Sequence, residues 1–566
     1  MTMRLRPRVH AVPLSDGVYF GGARRQFMMR GSAVLAQVAA VCLPLLRKGA
    51  TEDELVLALG SERSRAAVRY LIGGLRTHGM LLDMDRLTVP EPSDEVRRGN
   101  PDALAHLESV CDDPYAVFAR LRATAVLLIG DPHVVGPAAR GLTRAGVGRV
   151  RQARSVDKIV EDMDAILVCC AHHNRDDALQ TVRAVGRLPR STLVVTVLLD
   201  DRLLLAGPIL RDRDEDQLWR AFTQRTLFWA QAEGIGSPSR PVADAVAGAL
   251  AGRLLFETLA GVAVEGEAHV LHGAELTAER VVVDFTAVPD GAWRSIDDAE
   301  AVPLPTGEDM VALADSVTRR WTGLFTSVAD DDLPQMPLAL RETRGRADRA
   351  GSAVVWGADQ ESAAVGSVLE ALRRSCSGPG TGAAGLTEEH WLLDGVLRLL
   401  AEEALPEAMV TADQLDAGAL RIWQSLQRQG GEPPIVQVLH IPGVDWRLAR
   451  VEAAVGGEVL ALAWGEKATA AVREAIGTAF ARTQVPVSTA EGHGVAVLRT
   501  DALLYADEES RSALRRQVTT RAAETGVRYR GRPERMDALL GEIALWFGPV
   551  TASPLTPRPA HPGDEA

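Results

Sequence analysis

The sequence has 566 residues, which is too long for a single hydrophobic core and predicts about three domains. Its apolar content of 46%, charged content of 24% and net charge of −13 are ordinary for a soluble globular protein. No apolar run approaches the ~18 residues that a membrane-spanning helix needs, and no apolar stretch follows a basic start. We therefore expect a cytoplasmic protein without a membrane partner.

The five cysteines are scattered singly or adjacent, as Cys42, Cys111, Cys169, Cys170 and Cys376. They form no CxxC pair, which argues against a structural zinc site and against a disulfide framework. We expect each to be a small buried residue rather than a nucleophile.

In residues 1–88 the spacing of apolar residues changes once, from a pattern typical of strands to one typical of helices. Short apolar or alternating runs separated by turn residues predict three strands, followed by helical periodicity from Ser32 through His78. Thr51 and Ser61 carry hydroxyls suited to cap the second and third helices. The order of elements predicts a small winged-helix domain. The predicted strands are Arg8–Pro13, Val18–Gly21 and Gln26–Met29.

The third strand is predicted to be a sheet edge that lies beside the apolar flank of the third helix. Because an edge strand offers unpaired N–H and C=O groups, an extended peptide can add to it and place alternate side chains in the groove. We therefore predict that a peptide binds to this strand and helix. The candidate peptide-binding residues are Arg25, Gln26, Phe27, Met28, Met29, Arg65, Val68, Arg69, Leu71, Ile72 and Leu75.

Positive charge is concentrated in the same region. Met1–Arg86 contains 13 Lys/Arg against 7 Asp/Glu, a local charge of +6, so the remainder carries −19. Arg63, Arg65, Arg69 and Arg76 decorate the third helix, which suits an acidic peptide or DNA. The succession of elements resembles the leader-peptide recognition element at the front of enzymes that modify ribosomally made peptides. The alternative is a domain that only docks on its neighbour.

Residues 89–305 are predicted to form a second domain, of the α/β class. Three buried strands at Ala125–Gly130, Ala165–Cys170 and Thr192–Leu199 alternate with helical segments. This alternation predicts a mostly parallel, Rossmann-like sheet, with ligands at the carboxyl ends of its strands.

The turn after the first of these strands, with the Ala-Gly-Val-Gly at 145–148, resembles the ATP-binding start of ThiF-type adenylating enzymes. The resemblance implies a GxGxxG turn that lets the backbone approach the nucleotide, and a later acidic residue. Pro132 and Val135 stand at the second and third glycine positions, and Asp131 adds a negative charge. Residues 152–154, Gln-Ala-Arg, stand where the acidic residue is expected. Proline removes a donor and valine adds bulk, so we predict the fold without a nucleotide site.

His172 and His173 directly follow the second strand. Adjacent histidines in a strand point in opposite directions and chelate one ion poorly. We expect a solvated loop here and no metal.

Residues 306–550 contain a series of sequence blocks in a recognisable order, which are Asp315–Phe325, Gly357–Arg374, Gly380–Ala404, Trp446–Ala449, Val459–Gly465 and Ala471–Gln484. In this order the blocks resemble a YcaO domain, a family that activates backbone amides with ATP. The resemblance implies an α/β domain whose helices carry glutamates that hold magnesium against the ATP phosphates.

Most of the metal-binding positions implied by this resemblance have changed. Glu370 and Arg374 match the family, and we interpret them as an intrahelical i,i+4 ion pair. One carboxylate cannot assemble a magnesium–triphosphate cage, so we expect no ATP turnover and no cofactor. The other family positions hold Arg373, Arg398, Ala401, Glu402, Thr478 and Ala481.

The tail at 551–566 is proline-rich. Active YcaO proteins that build azolines often end in such a tail, but a frayed terminus is the interpretation we prefer.

Taken together, the three regions resemble the ThiF-like F proteins of thiopeptide and thiazole/oxazole-modified peptide pathways. This resemblance implies a non-catalytic subunit that binds the leader segment of a precursor peptide and delivers it to a separate ATP-dependent YcaO cyclodehydratase. That partner would make thiazolines and oxazolines from Cys, Ser and Thr. We expect these two partners, no nucleic acid, and a homodimer.

Two other functions stay open at this point. One is a single-chain ATP-dependent cyclodehydratase with a displaced ATP site. The other is a winged-helix regulator that binds DNA through the third-helix arginines, which the charge of −19 on the rest of the chain disfavours.

Overall fold

The computed structural model describes residues 1–23, 25–31, 33–154, 163–171, 192–211, 215–283, 291–327, 333–345, 352–430, 432–485 and 494–554. Within these ranges the protein is a mixed α/β chain with several sheets, as the sequence predicts. It divides into two compact units, Met1–Arg220 with Gly234–Val283, and Ala221–Glu233 with Asp284–Ala566. The His172–His173 pair and the tail from 555 onward lie outside the described residues.

The first unit contains two main sheets and the helices that cover them. Its strands are β1 Met3–Leu5, β2 His10–Leu14, β3 Gly17–Gly21, β4 Gln26–Arg30, β5 Leu81–Asp83, β6 Ala125–Ile129, β7 Arg149–Ala153, β8 Ala165–Ala171, β9 Leu193–Leu199, β10 Leu203–Leu210, β11 Glu267–His272 and β12 Thr277–Val282. Its helices are α1 Ala33–Lys48, α2 Glu52–Ala58, α3 Arg65–Thr77, α4 Asp94–Gly99, α5 Pro101–Val110, α6 Pro114–Ala123, α7 Pro132–Arg144, α8 Glu215–Ala232, which continues into the second unit, and α9 Val242–Ala260.

The N-terminal region has the predicted strands and helices. Strands β2, β3 and β4 form an antiparallel sheet in that order, and α1 to α3 follow. The Thr51 hydroxyl and the Glu54 side chain form a capping box at the start of α2. Ser61 caps a 3-10 turn that precedes α3, so the predicted cap acts one turn earlier than expected.

The seven-stranded sheet is only partly parallel. Its order is β12-β11-β10-β9-β8-β6-β7, and the four strands from β9 to β7 are parallel while β10, β11 and β12 are antiparallel. The mostly parallel prediction therefore holds for four adjacent strands. Only residues 200–202 connect β9 to β10, and so short a connection makes a hairpin, because a crossover needs a dozen or more residues.

The second unit contains three larger sheets. Its strands are β13 Arg294–Ser295, β14 Thr326–Ser327, β15 Ala339–Arg344, β16 Ser352–Gly357, β17 Thr381–Gly385, β18 Leu405–Met409, β19 Ile435–Ile441, β20 Val444–Glu452, β21 Val459–Gly465, β22 Gly494–Val495, β23 Leu498–Arg499, β24 Val527–Gly531, β25 Met536–Asp537, β26 Gly541–Glu542 and β27 Trp546–Pro554. Its helices are α10 Glu308–Val317, α11 Gln360–Ser375, α12 Glu388–Leu400, α13 Ala417–Gly430, α14 Ala468–Gln484, α15 Ala502–Tyr505 and α16 Glu508–Thr525.

Two helices of this unit are almost completely buried and carry the polar residues discussed below. Helix α12 places Trp391, Leu392, Val396 and Leu397 in the core at 0% exposure. Helix α11 buries most of its residues against β15 to β17. Within the described ranges, no helix has the length and hydropathy needed to span a membrane.

The capping box gives a test of the N-terminal region. Replacing Thr51 by alanine should lower the free energy of unfolding of this region by about 1 kcal/mol, because the N–H of Glu54 loses its acceptor and the Glu54 carboxylate loses its hydroxyl donor. Urea unfolding monitored by circular dichroism measures this change. Thr51→Ser is the matched control and should keep most of the stability; an equal loss in both variants would contradict the cap.

Candidate functional site

The backbone of β4 is open on one side. The N–H of Gly22 donates to the carbonyl of Arg25 at 3.0 Å, and the N–H of Gly31 donates to the carbonyl of Asp16 at 2.9 Å. In an antiparallel pair, alternate residues bond to the neighbouring strand. With the β3–β4 register, this leaves three residues whose backbone groups point away from β3. They are Gln26, Met28 and Arg30.

The opposite edge of the same sheet is blocked. Pro13 of β2 is paired with Val18, and the backbone groups of Val18 are directed to Met29 on β4. Pro13 therefore faces away from β3, at a position where a proline removes the N–H that an added strand would need. Of the two edges of this sheet, β4 is the one suited to strand addition.

Helix α3 lies directly along β4. The Tyr70 hydroxyl donates to the carbonyl of Arg30 at 3.3 Å. A Cβ at Gly74 would lie 2.8 Å from the sulfur of Met29, so a side chain at Gly74 would force the strand and helix apart. At the other end the Phe27 ring stacks on His78, with ring centroids 3.7 Å apart.

The predicted apolar contacts on α3 belong to the interior of the N-terminal region. Val68, Leu71 and Leu75 are 0% exposed and Ile72 is 5% exposed, all in one core cluster. A peptide at the surface cannot reach them, which corrects the expectation that its side chains pack there. The residues beside the edge that remain accessible are Met28, at 43% exposure, Tyr70, at 54%, and the half-buried Phe27.

Two of the predicted basic residues are already paired. Arg65 contacts Glu52 at 3.0 Å and Asp53 at 2.7 Å and also pairs with Glu62, while Arg69 contacts Glu52 at 2.8 Å. Their charge is balanced within the region, which reduces what α3 offers to DNA or to an acidic peptide.

The basic residues at the two ends of β4, unlike Arg65 and Arg69, are not paired with any acidic residue that the structure describes. Arg25 and Arg30 are exposed, and neither forms an ion pair with any described residue. Arg25, which belongs to the predicted set, and Arg30, the last residue of β4, are therefore the basic residues beside this edge that can contact an acidic peptide.

The turn after β6 places the carboxylate of Asp131 at the N-terminus of α7. The Asp131 side chain accepts a hydrogen bond from the N–H of His133 at 2.8 Å and caps α7, whose first residue is Pro132. A helix N-terminus attracts anions, and here that place is taken by Asp131. Gly130 is retained for packing, since a Cβ there would lie 2.4 Å from the Cβ of Cys169.

Cys42, Cys111 and Cys170 are buried as expected, whereas Cys169 and Cys376 are half-buried. Burial raises the pKa of Cys42 to about 11 and the pKa of Cys169 to about 12. Burial also raises the pKa of Cys376 to about 12. These thiols are therefore protonated at neutral pH and poor nucleophiles.

The second unit contains a buried network of ion pairs centred on Arg373 of α11. Its guanidinium lies 2.9 Å from Asp394, 3.3 Å from Asp501 and 3.4 Å from Glu370. The Arg373 side chain is only 4% exposed. A single cationic side chain thus occupies the space among three carboxylates.

Two more arginines satisfy the outer oxygens of these carboxylates. Arg398 lies 3.2 Å from Asp394 and 3.6 Å from Glu370. Arg374 pairs with Glu370 at 3.0 Å, which confirms the predicted i,i+4 ion pair. Each carboxylate oxygen of Glu370 and Asp394 is therefore paired with at least one of these three arginines.

A fourth arginine extends the network towards α14. Arg499 lies 2.8 Å from Asp501 and 3.5 Å from Glu474, and its guanidinium stacks over the Trp356 ring at 4.5 Å. The indole N–H of Trp356 donates to the hydroxyl of Thr478 at 2.9 Å, so Thr478 acts as a hydrogen-bond partner within the core.

The electrostatics of the network follow from these contacts. Burial alone would raise the pKa of Asp394, but attraction to Arg373 and Arg398, with hydrogen bonds from Thr500 and the N–H of Ala384, brings it well below its ordinary value. The pKa of Asp501 is lowered in the same way by Arg499 and Arg373, against burial. Asp394 and Asp501 therefore stay ionised beside these arginines, whereas burial raises the pKa of Glu474.

These residues do not fit a magnesium–triphosphate site. Magnesium needs carboxylate oxygens that are free to coordinate it, and here the guanidinium of Arg373 is placed among them. Among the described residues, no group of three or more His, Cys, Asp and Glu side chains is arranged to hold a metal ion.

A buried histidine lies one helical turn before Asp394. His390 is 0% exposed, and its Nδ1 accepts the N–H of Leu386 at 3.2 Å. Burial lowers the pKa of His390 to about 4, so the imidazole is neutral at physiological pH.

Sequence reasoning found Glu370, Arg373 and Arg398 but missed Asp394, Asp501, Arg499 and Glu474. Asp394 could have been found, because it is the single acid in the apolar run Trp391–Val396 and stands four residues before Arg398. Asp501 and Arg499 come from a different part of the chain, and no local pattern links them to α11.

Comparisons with known proteins concern the fold. No protein family matched the sequence, and no curated protein matched it either. Among solved structures, a heterocyclase in complex with substrate and cofactor is similar over 98% of this chain and 94% of its own, at a TM-score of 0.54 and 12% identity. This shows a heterocyclase-like fold over nearly the whole chain.

Structures of MccB from E. coli are also similar, over half of the chain. The complex with AMPCPP and MccA covers 50% of this chain and 97% of MccB, at a TM-score of 0.36 and 12% identity, and the ATP complex has a TM-score of 0.35 and 11% identity. Similarity at this level supports no argument about the chain.

Removal of the central cation tests the network. Replacing Arg373 by methionine should lower the free energy of unfolding by about 3–5 kcal/mol, because three buried carboxylates lose their common partner. Arg374→Met removes the same charge from a position that is 24% exposed and should cost about 1 kcal/mol. Chemical denaturation of both variants compares them; equal losses would contradict the central role of Arg373.

The buried histidine predicts a dependence of stability on pH. The folded-state pKa of about 4 lies below the unfolded value of ~6.5, so the unfolded chain binds an extra proton between these values. The stability that depends on a neutral His390 is fully present above pH ~6.5. It is lost as the pH falls towards 4, at up to ~1.4 kcal/mol per pH unit. His390→Gln should flatten the slope of unfolding free energy against pH in this window. An unchanged slope would show that other groups cause it.

Proposed function

We propose that this chain is the non-catalytic, leader-peptide-binding subunit of a system that modifies ribosomally made peptides. The leader segment adds to β4, and the chain presents the Cys, Ser or Thr residues of the precursor to a separate ATP-dependent YcaO cyclodehydratase. In this proposal residues 1–88 are the winged-helix recognition domain, 89–305 the ThiF-like domain and 306–550 the YcaO-like domain.

The observation that carries the non-catalytic part is the position of Arg373. The YcaO resemblance implies a site in which carboxylates hold magnesium and ATP, and the corresponding helices here hold a guanidinium among Glu370, Asp394 and Asp501. The Asp131 cap supports the same conclusion for the ThiF-like turn. ATP chemistry is therefore assigned to a partner.

The observation that supports peptide binding is the edge of β4. Gln26 and Met28 point open backbone groups outward, the outward carbonyl of Arg30 already accepts the Tyr70 hydroxyl, and Pro13 blocks the other edge of the sheet. Exposed Arg25 and Arg30 at its ends favour a leader with acidic residues near both ends of the added strand. Side-chain selectivity then comes from Met28, Phe27 and Tyr70 rather than from the buried face of α3.

Delivery needs no catalytic group on this chain. Tethering the leader converts the encounter between core residues and the partner enzyme into an intramolecular event, with an effective concentration set by the intervening peptide. Tighter binding of the leader therefore raises the rate at which the partner enzyme modifies the core residues.

The test is binding of a fluorescently labelled leader peptide, from the precursor gene neighbouring this one, to the full chain without ATP. Met28→Pro should weaken binding at least ~10-fold, because it removes one outward N–H while the hydrogen bonds between β4 and β3 remain. Fluorescence anisotropy measures the affinity, and circular dichroism checks that the fold is kept.

The matched control is Ala11→Pro. Ala11 occupies the outward-facing position on β2, because its partner Phe20 is hydrogen-bonded to Phe27 on β4. This variant should bind the leader as the natural chain does. Equal weakening in both variants, or no binding by the natural chain, would overturn peptide addition to β4.

A charge test is independent of the backbone. The double variant Arg25→Glu with Arg30→Glu should weaken leader binding and remove most of its salt dependence, since both arginines are exposed. The double variant Arg47→Glu with Lys48→Glu reverses the same charge at the end of α1 and should leave binding unchanged. Affinity titrations at two salt concentrations compare the two; a similar loss in both would mean that only net charge matters.

A second candidate is a single-chain ATP-dependent cyclodehydratase. It is favoured by the length of the similarity, since a heterocyclase with substrate and cofactor aligns over 98% of this chain. A nucleotide that binds only the folded state must raise the melting temperature. A rise with magnesium and ATP that is absent with magnesium alone would support this candidate over the first.

A further inference from the structure

A cavity of about 430 Å³ opens at the N-terminal end of α12, in the second unit. Its volume lies within the range of small-ligand sites. Two indole rings, Trp293 and Trp546, form part of its wall. Three carboxylates line it as well, those of Asp298, Glu300 and Glu388.

The charges of this cavity are unbalanced. The nearest described cation to Glu388 is Arg294, at a distance of 3.8 Å, and Arg294 is the only basic residue among those that line the cavity. Glu300 makes no hydrogen bond or ion pair with any described residue, and its side chain is exposed. Arg528, which does not line the cavity, lies 3.9 Å from Asp298, so Glu300 is the one carboxylate of the three without a described basic partner.

The carboxylates act on one another. Burial raises the pKa of Glu388; Arg294 and Arg535 lower it, while Glu300 and Asp298 raise it further. Like charges this close repel, and a bound cation would relieve that repulsion.

The indole rings already attract guanidinium groups. Arg535 lies over the Trp546 ring at 4.0 Å, and Arg530 lies 5.7 Å from the centroid of Trp293. Trp293 is 46% exposed, which leaves part of the ring available to a ligand. An aromatic surface next to carboxylates is the combination that binds organic cations.

We propose that this cavity binds the basic side chain of a peptide, a lysine or an arginine. The charged group lies among Asp298, Glu300 and Glu388, and the alkyl stem packs on Trp293. This site is on the second unit and does not rest on the proposed leader site at β4.

The experiment uses the full chain and three short peptides, acetyl-Gly-Ser-Xaa-Ser-Gly-amide, in which Xaa is lysine, arginine or norleucine. Calorimetric titration should give lysine and arginine affinities at least ~10-fold above that of norleucine, which has a similar stem without the charge. Equal affinity for norleucine, or no binding of the basic peptides at millimolar concentration, would overturn the proposal.

Two variants locate the binding. Glu300→Gln removes an exposed carboxylate that has no described partner and should weaken binding of the lysine peptide several-fold. Trp293→Leu should weaken binding of the same peptide to a similar degree. Glu308→Gln, an exposed acid on α10 that does not line the cavity, is the control and should change nothing. Equal effects of Glu300→Gln and Glu308→Gln would overturn the assignment. Met28→Pro should leave this binding intact even where it abolishes leader binding.

Discussion

The second unit depends on one guanidinium. Arg373 connects α11 to Asp394 on α12 and to Asp501, which lies far away in the sequence, and each of these groups is buried. Buried charges are stable only when they are paired and hydrogen-bonded, so this side chain fixes how three segments pack. A permanent cation of the chain neutralises these carboxylates.

This arrangement has a functional consequence. The guanidinium of Arg373 holds Glu370, Asp394 and Asp501 together by ion pairs and offers no metal coordination site. What the chain still offers is surface. Its first unit presents the open edge of β4, and its second unit presents an acidic cavity with two indole rings. In the proposed function, the open edge of β4 is the part of the chain that binds an extended peptide.

The sequence predicted the N-terminal strands and helices well, because their caps, turns and apolar spacing are local signals. Thr51 and the Glu370–Arg374 pair are examples in which short-range spacing alone was sufficient. Residues 199–208 predict a strand, a tight turn and a strand, which corresponds to the β9–β10 hairpin. The antiparallel direction of β11 and β12 was not predicted, since periodicity alone does not give strand direction.

The peptide-binding residues show a different limit. Apolar periodicity finds the face of α3 that is buried, and that face packs into the core of its own region through Leu71 and Leu75. The residues available to a ligand, such as Tyr70 and Met28, lie off that stripe and carry no pattern. Asp501 was missed for a related reason, because its partners are distant in sequence and only the fold brings them together.

The most direct test of the proposed function is mass spectrometry of the precursor peptide after incubation with magnesium and ATP, with the chain alone and with the chain plus the YcaO enzyme that the proposal requires. Each azoline formed removes one water from the peptide. The account predicts no loss of water with the chain alone, and loss with both proteins that is faster than with the YcaO enzyme by itself. Loss of water with the chain alone would contradict it and would establish a single-chain cyclodehydratase.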